Sequence, residues 1–228
     1  MNASTIRAVI FDFDGVLVNS EIIALHELRA CLAEIGISVP QEEMTSSFLG
    51  SSFEDVAAFI RRRQPEIDTE AFRKTWYDRL FSRYESELAI MSGAQELLDI
   101  LAKRGLPHCI ASGGSYRRLN FALNVTGLAG AFQNCAFSAD SVTRGKPEPD
   151  VFLYAAEQLG IPVEQCLVIE DAVAGVTAAR RAGMHVIGYT GGDHLADIRD
   201  IHSEMLTTAG AYTVADDLLQ IPDLMSLA

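Results

Sequence analysis

Short apolar runs alternate with stretches of helical spacing along most of this chain. Ile6 to Phe11 has the length and residue types of a buried strand. Glu21 to Ile35 then places Ile22, Leu25, Leu28, Leu32 and Ile35 at helical spacing, and Gly36 ends the run. Ser51 and Ser52 precede Glu54 and Asp55, a capping-box pattern for a helix reaching Arg63. Asp68 caps another, in which Phe72, Trp76, Leu80, Tyr84 and Leu88 form a row at four-residue spacing. Three helices with no strand between them predict an all-helical module.

From about Glu87 the pattern changes. Ser92 and Gln95 read as a second capping box, for a helix from Ala94 to Arg104 closed by Gly105. Strand and helix then alternate: Pro107 to Ser112, Tyr116 to Asn124, Cys135 to Ser138, Asp150 to Leu159, Cys166 to Ile169, Ala172 to Ala182 and His185 to Tyr189. This alternation predicts an α/β fold, a Rossmann-like parallel sheet with helices on both faces. The first strand belongs to that sheet. The expected division is therefore a core of residues 1–17 and 88–228 with a helical cap, 18–87, inserted after the first strand. From Leu195 the pattern predicts a helix, a short strand near Tyr212 to Val214 and a terminal helix.

Composition narrows the functional classes. The chain has 228 residues, 49% hydrophobic and 21% charged, ordinary for a globular protein with a sizeable core. No apolar stretch reaches bilayer length, and Met1 to Thr5 lacks a secretion signal's basic region and apolar core. A net charge of −13 repels nucleic acid and anionic membrane, so neither is expected as a partner. The same charge requires any phosphate site to be locally positive. Cys31, Cys109, Cys135 and Cys166 lack metal-ligand spacing and read as free thiols of a reducing, cytoplasmic protein. Arg61, Arg62 and Arg63 read as a solvated helix end. A monomer or small homo-oligomer is expected.

The candidate chemistry lies at strand ends, where open α/β sheets bind ligands. The first strand delivers Asp12 and Asp14, two carboxylates that repel unless a cation or shared proton relieves them. Gly15 lets the chain turn away. Carboxylate oxygens beside a phosphate suit Mg²⁺. The second strand ends in Ser112-Gly113-Gly114-Ser115, a hydroxyl and glycine-exposed amides opening a helix, which is an anion site. Glu170-Asp171 ends the fourth strand, and Lys146 precedes the stiff Pro147-Glu148-Pro149. Each piece alone has an ordinary reading as a turn, a cap or a solvated charge. Their conjunction is a metal-and-phosphate kit.

In this order the motifs resemble those of the haloacid dehalogenase superfamily, over nearly the whole chain. Asp12 to Leu17 is similar to its first motif, Ser112 to its second, Lys146 to Asp150 to its third and Glu170 to Ala179 to its fourth. The resemblance implies a Rossmann-like core under a mobile helical cap. It implies Asp12 as the nucleophile that forms an aspartyl-phosphate and Asp14 as general acid, then base. Ser112, the Gly113 backbone and Lys146 would hold phosphoryl oxygens. Mg²⁺ would sit on Asp12, the Asp14 carbonyl and Asp171, with Glu170 close by.

An acid at position 14 favours phosphoester chemistry over the dehalogenase and phosphonate-cleaving branches. The branch that isomerises β-glucose 1-phosphate carries a cap histidine where this chain has Ala24, and a cap arginine that aligns with Phe53. His26 lies about 200° around the helix from Ala24 and does not replace it. Asn19-Ser20, at the expected hinge between core and cap, stands where relatives usually have Asp-Ser or Asp-Thr. The expectation is a phosphatase for a small phosphorylated metabolite; the resemblance extends to bacterial sugar-phosphate phosphatases, including those acting on 6-phosphogluconate. A β-phosphoglucomutase-type reaction is the alternative. A non-enzymatic receiver-like module, which shares strand-end acids, is a remote one. The stretches Ser46 to Phe53 and Glu21 to Leu25 are expected to line the substrate pocket, with Glu21, Ser51, Ser52 and Phe53 foremost.

Overall fold

A computed structural model describes residues 6–225. The reading of Met1 to Thr5 and the end of the expected terminal helix lie outside these residues. Among the described residues the strands are β1 (Ala8–Phe11), β2 (His108–Ser112), β3 (Ala136–Ser138), β4 (Cys166–Glu170), β5 (His185–Tyr189) and β6 (Thr213–Ala215). They form one parallel sheet in the order β3-β2-β1-β4-β5-β6. That order is the doubly wound Rossmann arrangement, and its crevice opens beyond the carboxyl ends of β1 and β4.

Side chains alternate across this sheet as the pleat demands. Val9, Phe11, Leu167 and Ile169 enter the apolar cluster on one face, while Ala8, Ile10, Cys166 and Val168 enter that on the other. Both faces are therefore dry, which is why these strands read as continuous apolar runs. The covering helices after the helical stretch are α5 (Ala94–Lys103), α6 (Tyr116–Thr126), α7 (Asp150–Leu159), α8 (Val173–Arg181), α9 (Arg199–Ala209) and α10 (Ile221–Leu224).

Four helices fill the stretch between β1 and α5: α1 (Glu21–Glu34), α2 (Gln41–Phe48), α3 (Phe53–Arg63) and α4 (Thr69–Glu87). The sequence pattern predicted only three. It missed α2, whose buried side chains among those described are Met44 and Phe48 and which is too short for a periodic stripe. The Ser52–Asp55 capping box and the Asp68 cap form as expected. Two local expectations are corrected. Ile22 is 46% exposed, because the buried stripe of α1 runs through Ala24, Leu25, Leu28, Cys31 and Leu32, with Ile22 on its margin. Ser92 and Gln95 make no capping box: Gly93 occupies the N-cap in a left-handed conformation and Gln95 Nε2 donates to Asp99 Oδ1 instead.

No helix of the described residues is long and apolar enough to cross a membrane. All four cysteines are free.

Candidate active site

Three strand ends and one loop converge on a single cavity of about 450 Å³. Asp12 continues β1, its backbone N–H donating to Ile169 O at 2.9 Å. That bond ties the Asp12 backbone to the neighbouring strand and so fixes where its carboxylate starts. Glu170 ends β4 and Asp171 follows it. Lys146 enters from the loop before α7, with a cis bond to Pro147. Its Nζ donates to Asp12 Oδ1 at 2.5 Å and to Glu170 Oε2 at 2.7 Å. Glu170 Oε1 accepts the Ala172 N–H at 3.0 Å, so both its oxygens are engaged by protein donors.

Two glycines make room for these carboxylates. Gly15 has φ +80°, and a Cβ there would lie 2.0 Å from Asp171 Oδ2. A Cβ on Gly175 of α8 would lie 2.0 Å from the Glu170 carboxylate. Any side chain at either position displaces an acid.

Opposite the acids, Gly113, Gly114 and Ser115 line the cavity at the start of α6. Ser112, expected to bond phosphoryl oxygens, is buried at the end of β2, where its hydroxyl accepts the Gly114 N–H at 3.0 Å. Ser138 donates to Gly114 O at 2.6 Å and pins the loop. Asp14 lines the cavity as well.

Burial dominates the titration of this cluster. It pushes the Asp12 carboxyl up to about 7; the Glu170 charge adds to the rise and Lys146 opposes it. Burial raises Glu170 against the pull of Lys146, and raises Asp171 well above the ordinary range with help from Asp12 and Glu21. Burial alone would depress the Lys146 ammonium, but Asp12 and Glu170 outweigh it and hold Lys146 above its usual range. The site therefore gathers more acids than one lysine balances, and burial favours their protonated forms.

Asp12, Glu170 and Asp171 each offer an oxygen, all within 4.8 Å of one another. Asp171 Oδ2 is buried and accepts no hydrogen bond from the described residues; His194 Nε2 stands 3.0 Å away. Burial pushes that imidazole below its ordinary value. An orphaned carboxylate oxygen, beside other buried acids and a phosphate-sized anion loop, fits a hard divalent cation. Asp12 and Asp171 have oxygens free for it, whereas Glu170 is committed to Lys146 and Ala172.

The helical stretch closes the other side. Glu21, Ser51, Ser52 and Phe53 all line the cavity. The rest of the expected lining is corrected: Leu49 to Asp55 reach the cavity, but Ser46 to Phe48 and Ile22 to Leu25 are not among its lining residues. Ser46 and Ser47 belong to α2, and α1 directs only its first residue there. Ser52 spends its hydroxyl on Asp55, and Ser51 donates to Ser47 O at 3.4 Å. Ala24 is buried, and His26 is exposed beside Glu27 and Arg83, away from the lining.

Sequence reasoning missed Arg73, Trp76, Tyr77 and Arg118, which also line the cavity. Trp76 stacks on Phe53 with ring centroids 6.4 Å apart, and the Arg73 guanidinium lies 5.2 Å from the Phe53 ring. Trp76 was legible only as one of a core row, because a helix face that is half core and half cavity wall carries one apolar pattern. Arg118 had a usable signal: it lies in the first turn of the helix that follows the glycine loop.

Comparison with known proteins agrees with this geometry. Residues 6–183 match the haloacid dehalogenase-like hydrolase family, and the chain belongs to that family. It is a phosphoric monoester hydrolase. Over 97% of its length it is 32% identical to the chloroplastic protein Suppressor of Quenching 1 of Arabidopsis thaliana, of which it spans 21%. It is 28% identical to the 6-phosphogluconate phosphatase of Escherichia coli K12, with 90% of each chain covered. A HAD family hydrolase from Deinococcus radiodurans R1, crystallised with phosphate and sodium, is 31% identical with a TM-score of 0.76, covering 98% of this chain and 96% of that one. Family membership removes the receiver-like reading. So does the strand order, since receivers follow the flavodoxin-like arrangement.

Proposed function

We propose that this chain is a Mg²⁺-dependent phosphatase for a small phosphorylated metabolite of the sugar-phosphate class, acting through an aspartyl-phosphate on Asp12. The observation that carries this reading is the Lys146 bridge between Asp12 and Glu170, beside the orphaned oxygen of Asp171. It holds one carboxylate ready to attack and leaves a cation seat next to it. The relative named as a 6-phosphogluconate phosphatase supports the substrate class.

Asp12 attacks phosphorus, and the P–O bond to the substrate alkoxide breaks. Asp14 gives that oxygen its proton. Water then attacks phosphorus of the acyl phosphate, passing a proton to Asp14, and Asp12 is released with inorganic phosphate. Lys146 and the amides after Ser112 face the charge on the phosphoryl oxygens. Mg²⁺, held by Asp12, Asp171 and the Asp14 carbonyl, would neutralise the acids and the incoming phosphate together.

Residues 18–87 act as a cap over a core of 1–17 and 88–228. Glu21, Ser51, Ser52 and Phe53 present its inner surface to the substrate. A cavity of about 450 Å³ suits a small metabolite and excludes bulk water when covered. Ala24 and Phe53 stand where the mutase branch has its cap histidine and arginine, and Arg73, the cap guanidinium that lines the cavity, pairs with Glu70.

The test is phosphate release from a panel of phosphorylated metabolites, with Mg²⁺ and with chelator, including β-glucose 1-phosphate. Mg²⁺-dependent release from one or a few sugar phosphates is expected. Conversion of β-glucose 1-phosphate to the 6-phosphate without release would overturn the phosphatase reading.

A further inference from the structure

Arg118 is a buried cation that none of the steps above uses. Its Nη2 donates to Asp14 Oδ1 at 2.8 Å and to Glu21 Oε1 at 3.2 Å, and its Nε donates to Tyr84 Oη at 3.2 Å. The Ser20 hydroxyl donates to the same Asp14 oxygen at 2.5 Å. These partners lie at separate junctions. Asp14 follows β1. Ser20 and Glu21 stand where the chain enters the helical stretch. Tyr84 lies near the end of α4, where the chain returns to the sheet. Arg118 itself is in the first turn of α6, behind the anion loop.

A guanidinium is planar and its donors point in fixed directions, so holding three acceptors fixes their relative positions. Arg118 stays charged: burial disfavours the cation, but Asp14, Tyr84 and Glu21 more than offset it. Both donors to Asp14 fall on Oδ1. The other oxygen, Oδ2, lies 3.6 Å from where a Cβ on Gly114 would be, on the anion-loop side of the cavity.

We propose that Arg118 is a positioning residue for Asp14. It ties one Asp14 oxygen to both junctions of the helical stretch, so the other oxygen faces the reacting group while the cap sits in this arrangement. The inference rests on the acid–base role of Asp14 given above. It predicts that cap placement and proton transfer fail together when Arg118 is lost.

The experiment uses p-nitrophenyl phosphate with Mg²⁺ and the full-length protein, followed in the pre-steady state. Nitrophenolate departs without needing a proton when Asp12 displaces it. Hydrolysis of the acyl phosphate still requires Asp14 to accept a proton from water. Arg118→Met is expected to keep a near-stoichiometric nitrophenolate burst and then turn over about 10²-fold more slowly than the parent, with phosphoryl groups accumulating on the protein. Arg118→Lys, which keeps the charge but loses the fork, should recover only part of the rate.

A proportional fall of burst and steady state would show a merely structural role and overturn the proposal. A raised KM without accumulated phosphoenzyme would show substrate contact instead, and would also overturn it. Should Arg118→Met fail to fold, the same reading is taken from Arg118→Met combined with Glu21→Gln, which removes the acid left unpaired. Asp14→Asn is run alongside. If it traps phosphoenzyme and the Arg118 variants do not, the Arg118 inference alone falls. If Asp14→Asn traps none, the acid–base reading falls and this inference with it.

Discussion

Lys146 Nζ and Asp12 Oδ1 meet at 2.5 Å across 134 residues of sequence. The same ammonium holds Glu170 Oε2 at 2.7 Å. All three side chains are nearly excluded from water. One cation thus compensates two buried acids at the meeting of β1, β4 and the loop before α7.

Removing that cation leaves both carboxylates uncompensated. Lys146→Met should destabilise the fold by about 3–5 kcal/mol, the usual cost of breaking a buried ion pair from one side. It should also abolish turnover. Urea unfolding and phosphate release, measured together, check this. A variant as stable as the parent would mean that water already compensates the acids.

Metal should flatten a pH trend. Asp12 has an ordinary value of 3.8 and a folded value of about 7. A carboxyl raised by folding favours the folded state at low pH and loses that contribution as pH rises through the folded value. In chelator, the melting temperature should therefore fall between about pH 4 and pH 7. Mg²⁺ binds the ionised acids of the folded chain. At about 100 times its Kd it should add about 2.7 kcal/mol and flatten the trend. In Asp171→Asn the Mg²⁺ effect should shrink markedly. Calorimetric scans with and without Mg²⁺ decide the point.

Gly175→Ala tests the room that α8 leaves for Glu170. Alanine ordinarily suits a helix better than glycine by about 1 kcal/mol. Here its Cβ would fall 2.0 Å from the Glu170 carboxylate. The expected outcome is destabilisation by about 1–3 kcal/mol, the usual cost of overpacking, with a smaller Mg²⁺-induced rise in melting temperature. A simple gain in stability, with metal response intact, would show that Glu170 moves aside freely.

Much of this was legible in the sequence because strand burial and site chemistry are both locally encoded. Ile6 to Phe11 and Cys166 to Ile169 read as buried strands because both sheet faces are dry. Asp12, Lys146, Glu170 and Asp171 stood out as strand-end and loop charges, and the structure gathers them. What failed depends on distance in sequence or on shared roles. Arg118 was marked by its place in the first turn after the glycine loop, but no local pattern joins it to its partners Asp14, Glu21 and Tyr84. Trp76 and Tyr77 belong to the helical core and the cavity wall at once. Ile22 and the Ser92 cap were misplaced by one helix margin and one glycine conformation, choices that tertiary packing decides.

The central claim is that Asp12 becomes covalently phosphorylated. The most direct measurement is mass spectrometry of the Asp12-containing peptide after acid quench during turnover of a sugar phosphate with Mg²⁺. The account predicts one added phosphoryl group on Asp12, more of it in Asp14→Asn, and neither adduct nor turnover in Asp12→Asn. Phosphate release by Asp12→Asn at a rate near the parent's, with no adduct in any variant, would contradict it.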